Sequence, residues 1–158
     1  MKIWIVYDSK FGNNKQIAEA LGEIFKEGNA VHVQYAKKIS PKEVAKDEPD
    51  MLLFGGPLRA GNISFTIKRW GSNFGRTLKS RGFKLKKVAV WGTHGRDDPG
   101  TPAKFLWAAV EQKWKTLMDS VPAEKSTGVQ GINVDGMKGP METGWKDLIT
   151  KFAEQVKI

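Results

Sequence analysis

Two kinds of hydrophobic pattern take turns along the chain. Short apolar runs at Ile3–Tyr7, Met51–Gly55 and Val88–Trp91 read as buried strands. Val31, Val33 and Tyr35 alternate with polar neighbours, as a strand with one wetter face does, and Val129–Val134 is a weaker fifth run. Between the runs, apolar residues recur at helical spacing: Ile17, Leu21, Ile24 and Phe25; Ile67, Trp70, Phe74 and Leu78; Trp107, Val110, Trp114, Leu117 and Met118; then Trp145, Leu148, Ile149, Phe152 and Val156. Gly28-Asn29 stops the first of these helices, and Ser40-Pro41 with Glu43 opens a short extra one as a capping box. Thr101-Pro102 predicts an N-cap with proline at the first helical position for the fourth stripe, whereas Gly71 and Gly75 weaken the second half of the third. Met137–Gly144 reads as an irregular loop before the last helix.

Strand and helix alternate five times with short links and no repeat or low-complexity linker. That order predicts one α/β domain over residues 1–158, an open parallel sheet with helices on both faces. Ligands of such sheets bind outside the carboxyl ends of the strands, where strand order reverses. Here that edge carries the segments Asp8–Asn14, Gly56–Asn62 and Gly92–Gly100, all with glycine and polar groups.

Composition narrows the chemistry. The 158 residues are 40% apolar and 27% charged, ordinary globular values. The chain has no cysteine, which excludes disulfides, a thiolate nucleophile, an iron–sulfur cluster and a Cys-based zinc site. His32 and His94 are too few and too far apart for a multi-histidine metal centre. The longest apolar runs fall far short of the roughly 20 residues that span a bilayer. The strand pattern starts at once, leaving no room for a secretory h-region, so a cytoplasmic protein is expected. The net charge of +9 leaves nucleic acid, an anionic membrane face, an acidic protein or an anionic ligand open as partners.

Among the loops, Ser9-Lys10-Phe11-Gly12-Asn13-Asn14 says most. Successive backbone N–H groups running onto a helix N-terminus make an anion cradle, Gly12 permits close approach, Ser9 adds a hydroxyl, and Asn13 and Asn14 add amide donors. The alternative reading is an ordinary strand-to-helix turn capped by an asparagine. There is no G-x-x-x-x-G-K-S/T, and Gly12 stands alone, so neither a nucleoside-triphosphate loop nor a dinucleotide fingerprint is present. A phosphoacceptor receiver would need an aspartate at the end of the third strand, where Phe54-Gly55-Gly56 stands.

The opening Ile3-Trp4-Ile5-Val6-Tyr7-Asp8-Ser9-Lys10-Phe11-Gly12-Asn13 resembles that of flavodoxin-like proteins. Leu53-Phe54-Gly55-Gly56-Pro57-Leu58-Arg59-Ala60-Gly61-Asn62 resembles their second flavin loop, and Trp91-Gly92-Thr93 stands where the third begins. Lys138-Gly139-Pro140 is similar to prokaryotic members. The resemblance implies a three-layer sandwich with a five-stranded parallel sheet in the order 2-1-3-4-5, and FMN as cofactor. Ser9, Lys10, Phe11, Gly12, Asn13 and Asn14 would bind its phosphate. Pro57, Leu58, Arg59, Ala60, Gly61 and Asn62 would line the ring system, and Thr93, His94 and Gly95 would close the other side. The implied function is electron transfer between redox partners, with the flavin supplying the redox chemistry. A small FMN-dependent oxidoreductase, such as a quinone reductase or a protoporphyrinogen oxidase-like protein, and a fold that has lost FMN to become a binding module are the alternatives.

Three departures stand out. Asn14 replaces the threonine that usually ends the phosphate loop; neither Leu58–Asn62 nor Gly92–Gly100 has an aromatic residue to stack on a flavin; and the chain is basic. Phe11, Trp91 and His94 are the candidate substitutes for the missing ring, with Trp91 expected as strand-end core. The basic residues divide into a run, Arg76, Lys79, Arg81, Lys84, Lys86 and Lys87, expected as a solvated face away from the flavin loops, and a looser rim, Lys10, Lys15, Arg59, Lys68, Arg69, Arg96 and Lys104, partly offset by Asp97 and Asp98. The rim predicts an acidic redox partner, a ferredoxin-like protein or a reductase. No aromatic-and-basic surface marks nucleic-acid binding. Membrane contact is expected to be peripheral at most, and the protein a monomer or weak dimer.

Overall fold

Alternate residues of the inner strands go to opposite faces of one sheet, and this parity builds both halves of the core. In the computed structural model, which describes residues 1–136 and 138–157, β1 (Lys2–Tyr7), β3 (Met51–Arg59) and β5 (Leu85–His94) lie side by side and parallel. Ile3, Ile5, Met51, Leu53, Ala89 and Trp91 pack on one side with α1 (Asn13–Phe25) and α5 (Trp145–Val156). Trp4, Val6, Leu52, Phe54, Val88 and Val90 pack on the other with α2 (Pro41–Lys46), α3 (Phe65–Arg81) and α4 (Trp107–Asp119). Burial on both faces is why these strands read as unbroken apolar runs.

β2 (Ala30–Tyr35) flanks β1 at one edge, its residues alternating between exposed and half-buried as its pattern predicted. The other edge is a strand in two pieces, β6 (Ala123–Ser126) beside the first half of β5 and β7 (Gln130–Asn133) beside the second. A two-residue strand, β4 (Asn62–Ile63), folds back on the end of β3. Setting β4 aside and counting β6 and β7 as one, the order is the expected 2-1-3-4-5. The sequence Ala-Glu-Lys-Ser of β6 is largely exposed and polar, so it carries no strand signal.

Ser40 Oγ accepts the Glu43 N–H at 3.1 Å, the predicted start of α2. α3 runs on through Gly71 and Gly75 to Arg81, because both glycines are points of close approach. A Cβ at residue 71 would lie 2.9 Å from the Phe54 ring, and one at residue 75 would lie 2.6 Å from the Ser120 carbonyl oxygen. The expected start of the fourth long helix is corrected. Pro102 precedes only a 3-10 turn, Ala103–Phe105; Leu106 is extended, at ψ 147°, and α4 begins at Trp107. Both carboxylate oxygens of Asp97 accept the Trp107 N–H, at 3.1 and 3.2 Å, so the cap comes from ten residues upstream. Of the loop expected at Met137–Gly144, Met137 lies outside the described residues.

The basic run lies at the amino ends of the strands, and it is only partly a solvated face. Lys87 is 9% exposed and donates to the carbonyl oxygens of Gln155 and Lys157, at the last turn of α5. Burial, with Lys125 nearby, holds its pKa below the ordinary lysine range. Lys86 pairs with Asp50 at 2.7 Å and Arg81 with Glu48 at 3.4 Å. Among the described residues, no helix is long and apolar enough to cross a membrane.

Two carboxylates at this end link stability to pH. Asp47 accepts from the Lys2 ammonium and the Trp4 indole, and Asp50 from the Lys86 ammonium and the Lys2 backbone N–H, so both pKa values are lowered. The stabilisation is complete above the unfolded-state value of about 4 and is lost as pH falls from there through the lower folded values. In urea denaturation followed from pH 7 downward, Asp47→Asn is expected to show a shallower loss of stability below about pH 4 than the wild type.

Candidate functional site

The three loops meet over the carboxyl ends of β1, β3 and β5. They surround a cavity of about 360 Å³, lined by Ser9, Lys10, Phe11, Asn13 and Asn14 from the first, Pro57, Leu58, Arg59 and Ala60 from the second, and Thr93, His94 and Gly95 from the third. Val134 and Gly136 close a further side. Gly12, Gly61 and Asn62 are not among the lining residues. Gly61 and Asn62 face α4 instead, where the Lys113 ammonium donates to the Gly61 carbonyl at 2.8 Å and to Asn62 Oδ1 at 3.0 Å.

The first loop turns on Gly12, whose φ of 95° suits glycine and whose N–H donates to Ser9 Oγ at 3.0 Å. No side chain caps α1, and the backbone N–H groups of Asn13, Asn14 and Lys15 find no acceptor among the described residues. These donors, with the positive end of the helix behind them, are suited to an anion. The two asparagines are not the free amide donors expected of them. Asn14 is buried; its Oδ1 accepts from Trp91 Nε1 and its Nδ2 donates to Thr93 Oγ1, both at 2.9 Å. Asn13 Nδ2 donates to the Lys138 carbonyl at 3.3 Å. Trp91 is fully buried, as strand-end core should be, and so presents no face to the cavity.

The second loop is a β-hairpin. β3 continues past Gly55 to Arg59, Leu58 pairs with Ile63 and Arg59 with Asn62, and Ala60-Gly61 turns the corner at φ 50° and 75°. Positive φ at both central residues is the type I′ arrangement, where Asn-Gly is the common pair and Ala-Gly is not. That is why Gly56–Asn62 reads as a plain loop in the sequence. Behind it, the buried Asp8 carboxylate accepts from Ser64 Oγ at 2.6 Å while the Asp8 N–H donates to the Gly55 carbonyl, fixing the hairpin to the end of β1.

Rings reach the cavity from two sides. His94 stacks on Trp107 with ring centroids 4.3 Å apart, its Nδ1 lying 2.8 Å from the Gly95 carbonyl oxygen. Phe11 is 40% exposed at the rim, with the ammonium groups of Lys10 and Lys138 at 5.4 and 5.8 Å from its centroid. The wall at Val134 and Gly136 carries no signal in the sequence because it follows a weak strand. Only register places it, through β7 beside β5 and the Val134 N–H on the His94 carbonyl.

A parallel sheet in this order, helices on both faces and a cavity at the carboxyl ends of its inner strands together make a flavodoxin-like fold, as the three loop motifs implied. No family model and no curated protein matches the sequence. Among solved structures, oxidised flavodoxin 1 from Bacillus cereus matches with a TM-score of 0.71 at 16% identity, over 99% of this chain and 97% of its own. Two-electron reduced flavodoxin from Megasphaera elsdenii matches at 0.64 and 19%, over 96% and 97%. Rubredoxin oxygen:oxidoreductase from Desulfovibrio gigas matches at 0.65 and 18%, over 98% of this chain and 35% of that one. What is shared at such identities is the fold.

Proposed function

We propose that the protein binds FMN in this cavity and carries electrons between redox partners. The observation that carries the reading is the set of N–H groups of Asn13, Asn14 and Lys15, without acceptors among the described residues, beside a cavity whose lining also includes the rings of Phe11 and His94. The donors suit the phosphate; Leu58, Phe11 and the Trp107-backed His94 suit a planar ring system, which answers the want of an aromatic residue in the second and third loops. When bound, FMN supplies the one- and two-electron chemistry. The chain holds it, screens it from water, and brings the positive charges of Lys10 and Arg59 to its edge. Positive charge beside a group that gains electrons favours the reduced form, by about 0.2 to 1 kcal/mol for exposed side chains such as these.

The same charges suit an acidic redox partner, whose association salt would weaken. The purified protein is expected to show the visible absorption of bound flavin or, if prepared without it, to quench its tryptophan fluorescence stoichiometrically on adding FMN. A colourless protein with no titratable FMN site overturns the reading. Sustained turnover of NAD(P)H with a quinone would replace the carrier with an oxidoreductase on the same site.

A further inference from the structure

Trp91, Asn14 and Thr93 form a hydrogen-bonded line whose direction is fixed at one end. An indole nitrogen can only donate, so the atom of Asn14 that faces Trp91 Nε1 at 2.9 Å must be the amide oxygen. The Asn14 NH₂ therefore faces Thr93, and Thr93 Oγ1 is the acceptor, again at 2.9 Å. A hydroxyl that accepts there must send its own proton elsewhere. Thr93 is 3% exposed, lines the cavity, and has no acceptor for that proton among the described residues. Its oxygen is bonded to the side chain of Asn14 in the first turn of α1, the turn whose backbone N–H groups have no acceptor among the described residues.

We propose that the Thr93 hydroxyl is a hydrogen-bond donor to the anionic end of the ligand held at the α1 N-terminus, with its proton aimed there by the Trp91–Asn14 pair. Asn14 acts through Thr93 and is a positioning residue. The ligand class is a phosphate monoester, which rests on the FMN reading above.

FMN and riboflavin, which lacks the phosphate, titrated in parallel by tryptophan quenching test this. Thr93→Val is expected to weaken FMN about tenfold to a hundredfold, the size of a hydrogen bond to a charged group, and to leave riboflavin within about twofold. Thr93→Ser is expected to restore FMN binding. Equal losses for both flavins, or none for FMN, overturn the assignment while leaving the FMN reading intact. A second measurement needs no variant. Inorganic phosphate added to the wild type should shift the indole N–H resonance of Trp91, because the donor line is polarised as a unit. An unmoved resonance overturns the proposal. If the wild type binds neither flavin, the FMN reading falls, and the phosphate shift alone decides whether the anion site exists.

Discussion

Gly55→Ala is expected to destabilise the fold by about 3 kcal/mol or more, at the upper end of what overpacking one buried position costs. Gly55 sits in the middle of the sheet, directly opposite Trp91 on β5. A Cβ there would lie 2.2 Å from the Trp91 ring and 2.5 Å from its carbonyl oxygen. The ring cannot swing clear, because its Nε1 is tied to Asn14 across the α1 interface. The carbonyl cannot move without breaking the register of β3 and β5. Urea denaturation would measure the loss; a midpoint within error of the wild type would mean that Trp91 does not lie across Gly55 as described. The Trp91→Leu background should relieve only the part of the cost due to the ring, since the backbone carbonyl at 2.5 Å stays in place.

Asn14→Leu is expected to be the next most damaging change, by about 2 to 4 kcal/mol. Leucine keeps the branching of asparagine and forms helices better, so helix propensity does not explain such a loss, and its bulkier methyl groups add an overpacking cost at this buried position. What disappears is a pair of buried hydrogen bonds, and the Trp91 indole N–H is left without an acceptor in a dry interior. Adding Trp91→Phe should recover part of the loss, since removing both partners of a buried hydrogen bond costs far less than removing one. Full additivity of the two substitutions in a double-mutant cycle would show that the two side chains are not bonded.

The elements that face the core were legible in the sequence. Ile3–Tyr7 and Met51–Gly55 are apolar on both faces because both faces are covered, and the helical stripes repeat because each helix covers one side of the sheet. What stayed hidden depended on partners far along the chain. The polar strand Ala123–Ser126 exists because β5 offers it a backbone, and α4 starts at Trp107 because Asp97 reaches its N–H. Much of the cavity was legible too, since glycine and polar residues cluster after β1 and β5. The direction of Asn14 was not. Counting donors in Ser9–Asn14 cannot show that one of them faces inward to an indole on another strand.

The interruption of the last strand bears on whether copies of the protein stick together. A sheet edge is a row of unsatisfied backbone groups that invites another strand to add to it. At this edge the row is broken: four residues of β6, then a gap at 127–129, then four residues of β7. Neither piece reaches the five or six residues of an ordinary strand, and β6 brings Glu124 and Lys125 to its exposed surface. An incoming strand would find no continuous template at this edge of the sheet.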